Sequence, residues 1–154
     1  MSEVHIEEYT PELGADFKRI SYAWLDHYFG IEEEDRLLLE NHKAKIIDTG
    51  GAILFARYQG QIVGACALIR NDDELFELAK MGVMPEFQGL RIGRKLAEAI
   101  IEKARALGAK KVYLESSEKL TAALALYKKL GFKPDPELKV TPYSRCNVQW
   151  ALSL

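Results

Sequence analysis

The chain has 154 residues, of which 48% are hydrophobic and 29% are charged. This size and balance predict one compact soluble domain with a single core. Lys and Arg number 21 against 23 Asp and Glu, a formal charge of -2, so no basic field would attract nucleic acid or an anionic membrane. Those partner classes are excluded, and a small-molecule partner is favoured.

Targeting signals and metal-site patterns are not found in the sequence. No apolar run approaches the roughly 18 residues of a spanning helix, and the N-terminal MSEVHIEEYT lacks the basic-then-apolar order of a signal peptide. Cys66 and Cys146 each stand in an apolar, strand-like run, and the three histidines are scattered. We therefore expect a cytoplasmic protein with two reduced core thiols and no metal.

The first third of the chain predicts a strand and two helices. The strand runs from Val4 to Tyr9, and the first helix extends from Pro11 to Gly30 with apolar residues at steps of three and four. The second helix is predicted from Ile31 to Ile47, with four acids in its first turn. A solvated helix start, where the dipole favours negative charge, is one interpretation of these acids, and attraction of a cationic substrate is the other.

Strands dominate from Ala52 onward. Three hairpin-linked strands are predicted at residues 52–58, 62–69 and 75–84, and then a helix, a strand, a helix and a last strand at 92–107, 111–116, 121–130 and 144–152. This order predicts a mixed α/β fold with a mostly antiparallel sheet of six or seven strands, four flanking helices and one right-handed crossover.

The most informative segment is the strand-loop-helix junction after Pro85. Gln88, Gly89 and Gly93 lie in a short loop directly before a strongly periodic helix. Such a junction presents free backbone N–H groups and the positive end of the helix dipole to solvent, which together bind phosphate. Three basic residues stand beside it: Arg91, Arg94 and Lys95. The loop therefore predicts a pyrophosphate-binding site.

Residues 88–93 resemble the acetyl-CoA loop of the GNAT superfamily of N-acetyltransferases, Q/R-x-x-G-x-G/A. Arg91 replaces the central glycine of that pattern, so the turn is either ordinary helix or strained by on the order of 1 kcal/mol. A dinucleotide-binding fold and a P-loop fit badly, because neither glycine pattern is present. A structural alternative is that the glycines only turn the chain.

The resemblance implies how acetyl-CoA would lie. In the family the strand before the loop splays from the next strand and the pantetheine arm fills the gap, and Gly82 marks a bulge or a close approach in that strand. The implied cofactor-binding residues are Met81, Gly82, Val83, Gln88, Gly89, Leu90, Arg91, Ile92, Gly93 and Arg94. The resemblance is strongest from Ala52 onward. It implies that the predicted sheet is splayed, with the strand before the loop separating from the next strand.

A second block, residues 114–132, resembles the other family signature, a helix ending in L-Y-x-K-x-G-F. The matched tyrosine is Tyr127, which the resemblance makes the proton donor for the departing thiolate. Its position on an apolar helical stripe allows a purely structural role as well. Leu120 replaces an asparagine that many members carry, which removes a polar contact to the cofactor arm.

Glu77 is the candidate general base. An amine with a pKa near 10 is mostly charged at neutral pH and must lose a proton before it attacks. Strand alternation predicts that Glu77 shares a face with Met81 and Val83, and the spacing of Glu77 from Gln88 resembles that of the histone-acetyltransferase branch. An ion pair at a sheet edge is the structural alternative. The backbone N–H of Val83 is the candidate to polarise the thioester carbonyl.

The acceptor site is predicted between the first two helices and the last strands, near Trp24, Tyr28, Tyr143 and Arg145, all of which have structural alternatives. Residues 143–146 resemble a terminal segment in a bacterial branch of the family.

The expected function is direct acetyl transfer to a primary amine of a small molecule or protein. An acyl-CoA-binding sensor and a structural, partner-binding domain are the alternatives, and both a monomer and a homodimer stay open.

Overall fold

The computed structural model describes residues 3–135 and 142–154. Its strands are β1 Val4–Glu8, β2 Ala52–Tyr58, β3 Gln61–Arg70, β4 Leu75–Val83, β5 Lys111–Ser116, β6 Lys133–Pro134 and β7 Val148–Ser153. Its α-helices are α1 Gly14–Tyr28, α2 Glu33–Glu40, α3 Ile92–Ala106 and α4 Thr121–Lys129. Short 3₁₀ turns at Pro11–Leu13 and Pro85–Phe87 precede α1 and the α3 loop.

The seven strands form one sheet in the order β1-β2-β3-β4-β5-β7-β6. Neighbouring strands are antiparallel except β4 and β5, which are parallel and are joined through α3. The mixed α/β fold with a mostly antiparallel sheet is therefore confirmed.

The helices cover both faces of the sheet. One core cluster packs α1 and α2 onto the sheet and is centred on Phe17, Ile20 and Phe55. The other packs α3 and α4 onto the opposite face, with Leu96 and Ile100 fully buried. The apolar periodicity of α3 places its stripe on the strands, because residues four apart lie on one side of a helix.

Two predicted boundaries are wrong, and one short strand was missed. The helix expected from 31 to 47 is α2 followed by a separate π-helical turn, Lys43–Ile47. The last strand begins at Val148 instead of Ser144, because residues 144 and 145 form a turn that α2 binds through side chains. The two-residue β6 was not foreseen. Across the described ranges, no helix is both long and apolar enough to cross a membrane.

Candidate functional site

The central strands β4 and β5 separate partway along their length. They pair in parallel at Leu75, Phe76 and Glu77, opposite Lys111 to Tyr113, and the pairing ends there. A cleft of about 1320 Å³ follows the gap. Every predicted site residue except Leu90 lines this cleft, whereas Leu90 is 46% exposed at the tip of the loop.

The N-terminal end of α3 opens into the same cleft. Its hydrogen-bond ladder starts with the Lys95 N–H, which donates to the Arg91 carbonyl at 3.1 Å. The N–H groups of Ile92, Gly93 and Arg94 precede this bond, so they are available to an anion in the cleft.

Gly93 leaves the surface of this helix end open. A Cβ added there would come no nearer than 4.0 Å to the Val83 side chain, so the protein itself has room for a larger residue. Glycine inside a helix costs about 1 kcal/mol relative to alanine. The open space above Gly93 fits a ligand that lies directly on the backbone.

Arg91 adopts the left-handed conformation, with φ 62° and ψ 20°, directly before α3. Of the two interpretations offered by the sequence, the strained turn is therefore the correct one. The left-handed conformation also explains why the family pattern has glycine here, because glycine adopts it without strain. Arg91 and Lys95 are exposed, and within the described residues neither makes an ion pair. Arg94 lies 3.6 Å from Glu98.

A bulge in β4 corrects the predicted position of Glu77. Ala67 pairs with Ala79 but Ala65 pairs with Gly82, so β4 holds one extra residue, at Lys80, whose φ is 52°. One extra residue reverses the side on which all later side chains point. Glu77 therefore faces α1 and α2, whereas Met81 and Val83 pack toward α3. The prediction of a shared face was wrong.

The backbone of Val83 faces the gap. The Met84 N–H donates to the Val63 carbonyl at 2.8 Å, which makes Gly64 and Val83 a non-hydrogen-bonded pair of the ladder. The N–H and C=O of Val83 consequently point away from β3, toward β5. The Gln88 side chain donates to that carbonyl at 3.3 Å, so Gln88 fixes the loop against the strand and leaves the Val83 N–H facing the cleft.

Gly82 has its close contact with an aromatic side chain. A Cβ at this position would meet the Trp24 ring at 3.2 Å, which explains the glycine without a ligand. Trp24 packs against Tyr28 with ring centroids 5.1 Å apart, and both line the α1 side of the cleft.

Glu77 lies at the last paired position of β4, where the gap begins. Its Oε1 accepts a hydrogen bond from the Tyr113 hydroxyl at 3.3 Å. Loss of water through burial, together with the negative charge of Glu115, raises the pKa of Glu77 to about 7, although Lys80 and Tyr113 act in the opposite direction. A carboxyl with this pKa is suited to accept a proton near neutral pH.

Tyr127 is 6% exposed, and its ring packs edge-on against Phe132 at 5.7 Å between centroids. A tyrosine that serves the core alone usually has a partner for its hydroxyl, yet among the described residues the Tyr127 hydroxyl makes no hydrogen bond. Burial raises the pKa of Tyr127 above its ordinary value, so the phenol stays protonated. Leu120 lines the same cleft.

A buried ionic cluster connects α2, β4 and the segment before β7. Asp35 is 0% exposed and receives two hydrogen bonds from Arg145, at 2.7 and 2.8 Å, and one from Lys80 at 2.7 Å. The cations of Lys80 and Arg145 both lie 4.4 Å from the centre of the Tyr143 ring. Glu32 binds Arg145 and Ser144 at 2.9 and 3.1 Å.

The cluster overturns both interpretations of the acidic run at one position, Asp35. Asp35 is neither a solvated helix-start residue nor free to attract a substrate. Burial alone would raise the pKa of the Asp35 carboxyl, but Arg145, Lys80 and the backbone hold it below its ordinary value. Tyr143 and Arg145 are thus structural members of the cleft wall. A lysine inside a largely apolar strand was the signal that the sequence offered for this cluster.

The two cysteines occupy different environments. Cys66 is fully buried in the α3-side core, as predicted, whereas Cys146 is partly buried in the turn that lines the cleft. Within residues 3–135 and 142–154, no group of three or more His, Cys, Asp or Glu side chains is arranged to hold a metal ion.

Comparison with known proteins agrees with this geometry. The family model described as "Acetyltransferase (GNAT) family" matches residues 11–132. Over 104 residues the chain is 36% identical to YjgM of Escherichia coli K12, an N-acetyltransferase whose name marks it as uncharacterised, and the match covers 65% of this chain and 62% of YjgM. The chain therefore spans about three fifths of that relative's length.

Solved structures share the fold over nearly the whole chain. A GNAT-family acetyltransferase of Staphylococcus aureus Mu50 aligns with a TM-score of 0.87 and 24% identity, covering 98% of this chain and 99% of that one. YncA of Salmonella typhimurium, solved with its cofactor acetyl-CoA, aligns with a TM-score of 0.72 and 20% identity over 98% and 94% of the two chains.

Proposed function

Because the chain belongs to the acetyltransferase (GNAT) family, we propose that it transfers an acetyl group from acetyl-CoA directly to a primary amine of a small molecule or protein. The gap between β4 and β5, continuous with the N-terminal end of α3, is the observation that carries this proposal. All seven strands share one sheet, which supports one acetyltransferase domain.

Acetyl-CoA binding is assigned to the loop and the gap. The amides of Ile92, Gly93 and Arg94 would receive the pyrophosphate, and the exposed guanidinium of Arg91 adds charge at the rim. The edge of β4 offers the Val83 N–H to the thioester end. The acetyl-CoA that accompanies Salmonella yncA, a protein of the same fold, supports this choice of ligand.

Glu77 prepares the amine for attack. It accepts one proton from the arriving ammonium group, and the nitrogen lone pair then forms a bond to the thioester carbonyl carbon. The Val83 N–H stabilises the oxyanion that this attack creates. Glu77 and Val83 are six residues apart in β4, up to roughly 20 Å at the rise of an extended strand, so Glu77 receives the proton through bridging water molecules.

Tyr127 assists departure of the sulfur. When the tetrahedral intermediate collapses, the carbon–sulfur bond breaks and the second amine proton is lost, so the products are the acetylamide, free coenzyme A and one proton. The buried phenol is a weaker acid than a free one. It can still donate to the departing sulfur, because loss of water raises the basicity of a thiolate in the same place.

A colorimetric thiol-release assay with acetyl-CoA and a panel of primary amines tests the proposal. Release that depends on the amine, with formation of its acetyl derivative, is expected. A blank without amine is needed because Cys146 is partly accessible to thiol reagents. Tight binding of acetyl-CoA without release for any amine would indicate an acyl-CoA sensor, and absence of binding would indicate a structural domain.

A further inference from the structure

Glu115 has a carboxylate oxygen that lacks a partner. Its Oε2 is buried and accepts no hydrogen bond from the part of the chain that the structure describes. Buried polar atoms are almost always paired, because an unpaired one loses its water without compensation. Glu115 lines the cleft. A hydrogen-bond donor on a ligand bound in the cleft would therefore give its Oε2 the missing hydrogen bond.

The location of Glu115 relates it to Glu77. Tyr113 is the β5 partner of Glu77, and Glu115 lies two residues further along β5. Residues two apart in a strand point to the same side, so Glu115 faces the side of the sheet on which Glu77 and Tyr113 lie. Glu115 lies just beyond the last paired positions of β4 and β5, and therefore inside the gap between them.

The charges around this position favour a cation. Glu77 and Glu115 are close enough for their charges to interact. The nearest lysine on β4, Lys80, is bound to Asp35 at 2.7 Å and to the Tyr143 hydroxyl at 3.3 Å. Two carboxylates, one of them with an unpaired oxygen, thus face the cleft, and the neighbouring Lys80 directs its hydrogen bonds to Asp35 and Tyr143 although its charge still acts on Glu77.

We propose that Glu115 binds the acceptor as an ammonium ion beside Glu77, so that the enzyme uses basic aliphatic primary amines and discriminates against amines that are neutral in solution. This inference rests on the proposed acetyltransferase function. Glu115 forms the charge-assisted hydrogen bond that positions the nitrogen, and Glu77 removes the proton. An arylamine brings no positive charge to Glu115, so its N–H groups offer only the weaker hydrogen bond of a neutral donor.

Direct binding of benzylammonium tests this inference. Titration calorimetry on the protein saturated with coenzyme A compares the wild type with Glu115→Gln, and with Glu118→Gln as the matched control, because Glu118 is exposed and lies three residues away. We expect the benzylammonium dissociation constant to rise roughly tenfold or more in Glu115→Gln. It should stay unchanged in Glu118→Gln, and Glu115→Asp should recover part of the affinity.

Two further measurements separate binding of charge from a structural role. Benzyl alcohol, a neutral analogue, should bind the wild type and Glu115→Gln equally, and both should keep the same affinity for acetyl-CoA. Failure of the wild type to bind benzylammonium, equal affinity in Glu115→Gln, or acetylation of aniline in preference to benzylamine would overturn the inference. Failure of the proposed function is distinct, since the wild type would then release no thiol with any amine.

Discussion

Replacement of Glu77 by glutamine should raise stability and lower activity in one step. The folded protein holds the pKa of Glu77 at about 7, against 4.5 for an ordinary glutamate. At about 1.36 kcal/mol for each pH unit, this difference corresponds to roughly 3 kcal/mol. Because this pKa is raised, the stabilising contribution of Glu77 to the free energy of unfolding is fully present below pH 4.5 and is lost as the pH rises through 7.

Glu77→Gln removes this dependence because glutamine does not ionise, and its amide oxygen can still accept the Tyr113 hydrogen bond. At pH 8 the variant should be more stable than the wild type by roughly 3 kcal/mol, about 6 to 12 °C in melting temperature for a chain of this length. The two proteins should converge near pH 4. Thermal unfolding followed by circular dichroism across this pH range measures the difference.

The same variant should lose turnover. With acetyl-CoA saturating, wild-type kcat/KM for the amine should fall as the pH drops below about 7, whereas Glu77→Gln should be slower by roughly a hundredfold or more and lack that limb. Glu118→Gln, which removes an exposed charge, should change neither property. A variant no more stable than the wild type at pH 8, or one that keeps the acidic limb, would refute the assignment.

Three other predictions follow from single contacts. Tyr127→Phe should lower kcat at saturating acetyl-CoA while its affinity for acetyl-CoA stays nearly constant, and an unchanged kcat in steady-state assays would remove the hydroxyl from the reaction. Arg91→Gly should relieve left-handed strain of up to about 1 kcal/mol yet weaken acetyl-CoA binding in calorimetry, and tighter binding would show that the side chain obstructs the loop. Asp35→Asn should destabilise the fold by about 3 to 5 kcal/mol in urea titrations, because two buried cations lose their counter-ion. Adding Lys80→Met should recover part of that loss, and a cost below about 1 kcal/mol for Asp35→Asn alone would contradict the buried cluster.

Local patterns predicted the loop before α3 well. Its glycines, the periodic helix and the adjacent basic residues are all contained in about ten consecutive positions, so no distant contact was needed to recognise them. The strained turn at Arg91 was likewise one of two local options. The resemblance placed Tyr127 and Glu77 in the same cleft, and the structure brings them there.

The sequence could not reveal contacts between distant segments. Asp35 and Arg145 are 110 positions apart and meet because α2 and the turn before β7 flank the same end of the cleft. The acidic residues at the start of α2 therefore look alike in sequence, yet one of them is buried and paired. Glu115 was overlooked for a related reason, because an alternating strand gives no sign that one polar side chain faces a gap.

The bulge at Lys80 connects these observations. A non-glycine residue with φ 52° carries a cost of about 1 to 2 kcal/mol, and here the Lys80 ammonium is held by Asp35 at 2.7 Å. With the bulge in place, Glu77 faces α1 and α2 while Val83 turns its side chain toward α3 and its N–H into the gap. Without the extra residue, strict alternation would place Glu77 and the Val83 side chain on one face. The ionic cluster thus stabilises the backbone distortion that turns Glu77, the proposed base, and the Val83 N–H, the proposed oxyanion donor, toward the same cleft.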